Sequence, residues 1–496
     1  MKLKEFFADL GKGIKQVFSG EAKEENLFEL NGRTPFLKAI PFGIQHVSAM
    51  FTANIVPIII VFGTLGITGE FGTSSMLGAL FMAGIGTIIQ LFIGARLPIV
   101  IGTSFTFVPI FITIGLRVFN NGGSGADAYY TIMTSIIIGG LFATIFSIFY
   151  KYWGKLIKPI VPAIVVLGIG LSLLSSGANQ FFGGTSVLAE VYAGTNAVPY
   201  WCYILVALVT VIAAILWQLI FKGVWKNVNI IVGIAVGYIV ACCIPGMVDF
   251  SGLAITEAVG SHGVIDYPHI LDFTQLKFDV TSIVLTSVCF IVAIIEGIGD
   301  TTALANAGLG RNPTSRELGG TLTFDGFNSA VGAMFGALPL TTFSQNVGIV
   351  AQTKVVNRFT IFIGAAFLFL ASFFPPVANF IYTIPDAVIG GTMVILFGSI
   401  AVVGMKSISE LGWSDKNILI TTLSLCVGFG ITIATFTTGT GQLVMTTEIF
   451  NKLGLDWLGA LLSNNVLNMF VLSIILSWAL PDDMHISFLH KKNKEA

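Results

Sequence analysis

The chain has 496 residues, of which 54% are hydrophobic and only 10% charged, with a net charge of −1. So little charge cannot cover a soluble fold of this length, which excludes a soluble protein and points to an integral membrane protein. The missing basic excess also excludes a nucleic-acid partner.

The amino terminus is Lys-rich and amphipathic, and no cleavable signal is visible in it. Phe6, Phe7, Leu10, Ile14 and Phe18 share one helical face, which fits a surface-lying helix or a frayed tail equally well. Fourteen membrane segments follow, at 37–61, 74–94, 97–117, 129–150, 155–175, 199–221, 227–247, 280–305, 318–338, 341–353, 358–379, 384–405, 416–437 and 456–479. Most are close to the roughly 20 residues a helix needs to cross the hydrocarbon core. Segments nine and ten are weak: nine holds Asp325 and Asn328, and ten is polar and short. Charge supports counting both. With the amino terminus in the cytoplasm, 22 of the Lys and Arg residues fall on the cytoplasmic side and 3 (Arg117, Lys277 and Lys452) outside. This is a strong positive-inside bias, and deleting one weak segment would reverse every later loop. Both termini are therefore expected in the cytoplasm of a cell-membrane protein. The loop 248–279, with His262 and His269, is expected as an outer cap without chemistry of its own. Cys202, Cys242, Cys243, Cys289 and Cys426 lack metal-ligand spacing and read as small packing residues. The 56 glycines and 42 phenylalanines suit close helix packing and lipid contact.

A repeat is visible. Pro162-Ala163-Ile164-Val165-Val166-Leu167-Gly168 in segment five resembles Pro385-Asp386-Ala387-Val388-Ile389-Gly390-Gly391 in segment twelve. Seven segments separate the two, and seven is odd, so the copies run in opposite directions across the membrane. Inverted repeats place the substrate near the midplane. The pairing predicts that segment three mirrors ten and segment one mirrors eight, and these four hold most of the unusual polar residues.

Segment one carries Gln45-His46, segment three Gly102-Thr103-Ser104-Phe105-Thr106-Phe107, and segment eight Glu296 and Asp300, four apart on one helix face. Segment nine carries Asp325, and segment ten Ser344, Gln345 and Asn346. A charge at bilayer depth costs about 3 kcal/mol, so these carboxylates read as functional groups, with hydrogen bonding to a neighbouring span as the bland alternative. His46 fits an interhelical hydrogen bond as well as a substrate or proton group, and Gln45 reads as a structural bridge. A carboxylate and an amide can make paired hydrogen bonds to the edge of a planar heterocycle, while an aromatic face such as Phe105 holds its flat side. That set suits a nucleobase better than a sugar or an inorganic anion.

These residues resemble the nucleobase–ascorbate transporter family, the permeases of the uracil and xanthine type. Gln345, Asn346, Gly348, Thr353 and Lys354 match the family signature throughout. Gln45-His46, the Gly102–Phe107 run, Glu296 with Asp300, and Asp325 match its elements in segments one, three, eight and nine. The resemblance implies an all-α membrane fold of fourteen transmembrane segments in two inverted repeats of seven, with short strands in segments three and ten. It implies an amino-terminal segment 1–36, a core of 37–150 and 280–380, a gate of 151–247 and 381–479, the outer loop 248–279 and a tail 480–496. Glu296 and Gln345 would bind the base, helped by Ser104, Phe105, Ser344 and Asn346. Asp325, Asp300 and His46 would serve proton coupling or site geometry. Gln345 and Asp300 match the xanthine and urate branch, whereas uracil members tend to have Glu and His there; Val347 and Gly297 depart from many members. The expected activity is uptake of xanthine or uric acid by proton symport, with sodium less favoured, no cofactor and no metal. A homodimer through the gate helices is implied by the resemblance alone. The alternatives are a uracil or other nucleobase permease, a sulfate-type anion permease of the same fold, and a membrane enzyme using Glu296, Asp300 and His46 as acid–base groups. No nucleophile, metal or nucleotide motif accompanies the enzyme reading.

Overall fold

The computed structural model describes residues 11, 13–19, 21–67, 70–221, 226, 229–248, 267–376, 380, 383–437, 443–445 and 448–481. For 47–49, 51–53, 70, 185–186, 344–345, 348, 351–352, 436–437, 443, 448, 451, 456–457 and 460 it describes the backbone alone. Each of the fourteen segments has its helix: α1 Phe36–Leu65, α2 Glu70–Phe92, α3 Val108–Asn120, α4 Gly125–Ile148, α5 Ile160–Phe181, α6 Tyr200–Ile220, α7 Asn229–Cys242, α8 Val280–Leu309, α9 Ser315–Met334, α10 Ser344–Thr353, α11 Arg358–Ala371, α12 Asp386–Glu410, α13 Asp415–Ile433 and α14 Asn465–Ala479. Seven of these are long and apolar enough to span a membrane by length and composition.

Segments three and ten are broken. Strand β1 Ile101–Thr103 precedes α3, and strand β2 Leu340–Thr342 precedes α10. The two pair antiparallel, Ile101 opposite Thr342, Gly102 opposite Thr341 and Thr103 opposite Leu340. This register has a local two-fold centre at Gly102 and Thr341, as an inverted repeat requires.

The helix ends obey local rules. Ser124 with Asp127 and Thr314 with Glu317 form capping boxes that start α4 and α9. Asp279, Asn357, Ser414 and Asn464 cap α8, α11, α13 and α14 through their side-chain oxygens.

Three features go beyond the segment reading. A helix Gly184–Ala193 lies between α5 and α6, too polar to register as a span. Between α13 and α14, strands β3 Thr435–Thr437 and β4 Leu443–Met445 pair, followed by helices Glu448–Lys452 and Asp456–Leu462. The amino-terminal stretch is docked rather than frayed. Phe18 packs its ring on Phe92, Phe359 and Phe362, and Val17 is fully buried. The Asn357 amide donates to the carbonyls of Asn26, Glu29 and Gly32 at 2.8–3.2 Å. The buried guanidinium of Arg358 reaches Leu91 O at 2.9 Å and also Asn31. These contacts fix residues 17–19 and 21–32 against the ends of α2 and α11. Residues 1–10, with Phe6, Phe7 and Leu10, and the loop residues 249–266, with His262, lie outside the described residues.

Two compact units result: Met1–Trp153 with Leu173–Ser399, and Gly154–Ser172 with Ile400–Ala496. In the smaller unit Trp478 donates to Leu156 O at 2.8 Å while Lys158 sits 5.0 Å above its ring. In the larger unit α4 and α9 meet backbone to backbone. A Cβ on Gly140 would lie 2.8 Å from Ala330 N, and one on Gly326 2.7 Å from Thr144 N. Small residues are how membrane helices approach this closely. Gly140→Val is therefore predicted to cost about 3 kcal/mol through overpacking, seen as lower thermal stability in detergent and a reduced yield of folded protein.

Candidate functional site

A two-stranded ribbon at membrane depth has two free edges, and water cannot satisfy them there. Within the ribbon, Ser104 N–H donates to Pro339 O at 2.8 Å and Phe343 N–H to Val100 O at 3.1 Å. The four edge amides are each taken by a side chain. Ile101 N–H donates to Thr87 Oγ1 at 3.0 Å and Thr103 N–H to Asn54 Oδ1 at 2.7 Å. Leu340 N–H donates to Ser329 Oγ at 2.9 Å and Thr342 N–H to Asp325 Oδ2 at 3.0 Å. Helices α1, α2 and α9 thus supply the missing ladder partners. Gly102 is required at its place: a Cβ there would meet Asn54 Oδ1 at 2.6 Å and the Phe343 ring at 2.7 Å.

Because the strands are antiparallel and each leads directly toward its helix, α3 and α10 leave the ribbon in opposite directions. Both amino-terminal ends point back at it, and their dipoles bring partial positive charge to the centre.

Asp325 is nearly fully buried. Besides Thr342 N–H it accepts the Thr342 hydroxyl at 2.9 Å, and its Oδ1 accepts Gln90 Nε2 at 2.9 Å. Gln90 in turn donates to Thr321 O and accepts Ala95 N–H, both at 2.9 Å. Among the described residues, each hydrogen bond of the Asp325 carboxylate comes from a donor, which suits an ionised carboxylate.

Glu296 is half-buried on α8, and its Oε2 accepts the Thr106 hydroxyl at 2.7 Å. A Cβ on Gly297, the next residue, would lie 3.6 Å from Asp325 Oδ2. The structure therefore sets Glu296 against Thr106, and sets Asp325 against the next position of α8, Gly297. Ser104 and Phe105 are buried, and the Phe105 ring meets Phe397 edge-on at 5.3 Å. Asp300 is buried one turn along α8. The His46 Nδ1 pairs with Asn346 Oδ1, so Nδ1 carries the proton in the neutral ring; Asn346 Nδ2 donates to Pro98 O at 2.9 Å. His46 and Asn346 thus pin α1 to the start of α10. His46 Nε2 has no hydrogen-bond partner among the described residues. Ser344 and Gln345 form the first turn of α10; their side chains lie outside the described residues. The bridge expected of Gln45 is not seen: both its amide atoms are buried without a partner among the described residues.

The end of the signature caps helices. Thr353 Oγ1 donates to Ile349 O at 2.8 Å, and Lys354, at a φ of 58°, donates from Nζ to Ala307 O at 2.7 Å near the end of α8. Sequence reasoning missed Asn54, Thr87, Gln90, Thr106 and Ser329 as working residues. Gln90 and Asn54 offered a signal, being amides inside apolar helices, and Thr106 lay in the polar Gly102–Phe107 run; Thr87 and Ser329 offered none, because Ser and Thr commonly bond their own helix.

A family model, Xan_ur_permease, described as Permease family, matches residues 37–437. Xanthine permease XanQ of Escherichia coli (strain K12) is 30% identical over 418 residues, covering 83% of this chain and 87% of that protein. Xanthine permease of Bacillus subtilis (strain 168) is 30% identical over 407 residues, covering 81% and 87%. Among solved structures, murine Slc26a9, an anion transporter in the inward-facing state, aligns with a TM-score of 0.58 at 12% identity, covering 91% of this chain and 76% of that one. That likeness shows the fold alone. The family match, the relatives and the apolar helices together make this a multi-pass membrane protein and a transporter, not an enzyme: the chain belongs to the Permease family, the nucleobase–ascorbate transporters that its motifs resemble.

Proposed function

We propose that the chain imports a purine base, xanthine or uric acid, by proton symport with alternating access, from the cell membrane and with both termini in the cytoplasm. The observation that carries this reading is the Glu296 carboxylate held by Thr106 beside the ribbon. A carboxylate there accepts ring N–H groups of a planar base. Gln345, at the start of α10, reads an adjacent edge, and Phe105 supports the flat face. Ser104, Ser344 and Asn346 complete the lining, while Asp300 and His46 set its geometry. The names carried by the relatives, xanthine permeases, support the substrate class. The anion-transporter fold is shared, so the fold does not choose the substrate; the signature from Gln345 to Lys354 favours a base over an inorganic anion.

For coupling, a proton taken up by the carboxylates of half-buried Glu296 and buried Asp325 removes charge from the loaded core before segments 1–4 and 8–11 move past segments 5–7 and 12–14. Burial disfavours a charged carboxylate, which gives the coupling its physical basis. A homodimer through the gate helices belongs to the same reading.

Uptake of labelled xanthine competed by purines and pyrimidines, with and without a proton gradient, tests it. Xanthine and uric acid should compete well and uracil poorly, and a proton uncoupler should abolish accumulation. Uptake that resists the uncoupler and follows a sodium gradient would replace the proton, and strong competition by uracil alone would move the substrate to the uracil branch.

A further inference from the structure

Helix α3 does not begin directly after β1. Residues Phe105–Phe107 form a single 3-10 turn between them. Thr106, at its centre, is 2% exposed and is held by α8 at two points. Its hydroxyl donates to Glu296 Oε2 at 2.7 Å, and its carbonyl accepts the Cys289 thiol at 3.5 Å. Cys289 and Glu296 are seven residues apart, two turns of α8, and so lie on one face. Between them in the same interface, the rings of Phe107 and Phe290 meet edge-on at 4.7 Å. The turn that presents Ser104 and Phe105 is therefore registered against the helix that carries the carboxylate.

We propose that Thr106 is a positioning residue for substrate, and through that a specificity determinant: its hydroxyl holds the Glu296 carboxylate in the orientation that accepts the N–H edge of a purine. This rests on the assignment of Glu296 as the base-binding group. A glutamate side chain has three rotatable bonds, and binding must immobilise them at an entropic cost. A hydrogen bond already formed to one oxygen orders the group before the base arrives, and preorganisation improves affinity by removing that cost. A threonine hydroxyl is the apt donor, because it is short, it can rotate toward the acceptor, and its methyl group fills the space beside it. Valine keeps the shape and removes the donor; serine keeps the donor and removes the methyl.

The test uses the full-length protein. Binding of xanthine and of singly N-methylated xanthines is measured on purified protein, and uptake kinetics in cells, for Thr106→Val, Thr106→Ser, Glu296→Gln and the double variant. Thr106→Val should raise the Kd and KM for xanthine about 10-fold to 100-fold with kcat nearly unchanged, and Thr106→Ser should restore most of the loss. The discrimination between xanthine and the methylated analogue that blocks the Glu296 edge should shrink in Thr106→Val, whereas a general packing defect would weaken all ligands alike. In the Glu296→Gln background the valine substitution should add little. Unchanged Kd and discrimination in Thr106→Val, with binding lost in Glu296→Gln, would overturn the positioning role and leave the Glu296 assignment standing. Unchanged binding in both would overturn the Glu296 assignment and the positioning role with it. Should Thr106→Val fail to fold, Thr106→Ala and Thr106→Ser decide the same point, since only serine keeps the hydroxyl.

Discussion

Glu296→Gln is expected to lower kcat/KM for purine-base uptake about 100-fold or more while the protein still reaches the membrane. The substitution is nearly isosteric, and the Thr106 hydroxyl, 2.7 Å from Oε2 in the parent chain, can still donate to the remaining amide oxygen. What is lost is the charge and one acceptor. The new NH2 group faces ring N–H groups of the base, so two donors oppose each other where a charge-assisted bond had formed. Gln345→Ala should act in the same direction, with a larger share of the loss in substrate selectivity. Surface labelling together with concentration-dependent uptake measures both. Normal kinetics in the two variants would remove the site from these residues.

Asp325→Asn should have the second large effect, through the ribbon. The carboxylate receives Thr342 N–H, the Thr342 hydroxyl and Gln90 Nε2, at 2.9–3.0 Å. An asparagine offers one oxygen and must turn its NH2 toward a donor. A buried donor left without a partner costs about 1–3 kcal/mol, and more where the lost acceptor was charged. A clear fall in the thermal midpoint in detergent, with loss of uptake, is the expected result. A group that serves only to carry a proton would behave otherwise: its amide, which imitates the protonated acid, would keep stability and base binding and lose accumulation alone. Measuring the three quantities on one preparation separates the two roles of Asp325.

The fourteen spans were legible because the bilayer imposes one rule on every backbone group, and Lys and Arg mark the side on which each loop lies. Even the weak segments nine and ten were recoverable from charge, although α9 holds Asp325 and α10 is 10 residues long. The inverted repeat was legible in the paired runs Pro162–Gly168 and Pro385–Gly391, and the two strands were expected from the family resemblance alone. The partners of those strands were not. Thr106 and Glu296 are 190 residues apart and His46 and Asn346 are 300 apart, and nothing local to either residue names the other. The same holds for Asn357, whose local role is a helix cap and whose second role, holding carbonyls of Asn26, Glu29 and Gly32, depends on a chain segment more than 300 residues away. The helix Gly184–Ala193 escaped because its composition carries neither a span nor a turn signal.

The ribbon's backbone repeats itself about Gly102 and Thr341, but the groups that close its edges do not. A hydroxyl serves one amide in each half, Thr87 in the first and Ser329 in the second. The other amide meets a neutral amide in one half, Asn54, and a carboxylate in the other, Asp325. Duplicated halves that began alike have thus become chemically inequivalent at their shared centre. Here one strand is fastened by a carboxylate and its twin by a neutral amide, so a group able to change its charge touches only one of the two strands.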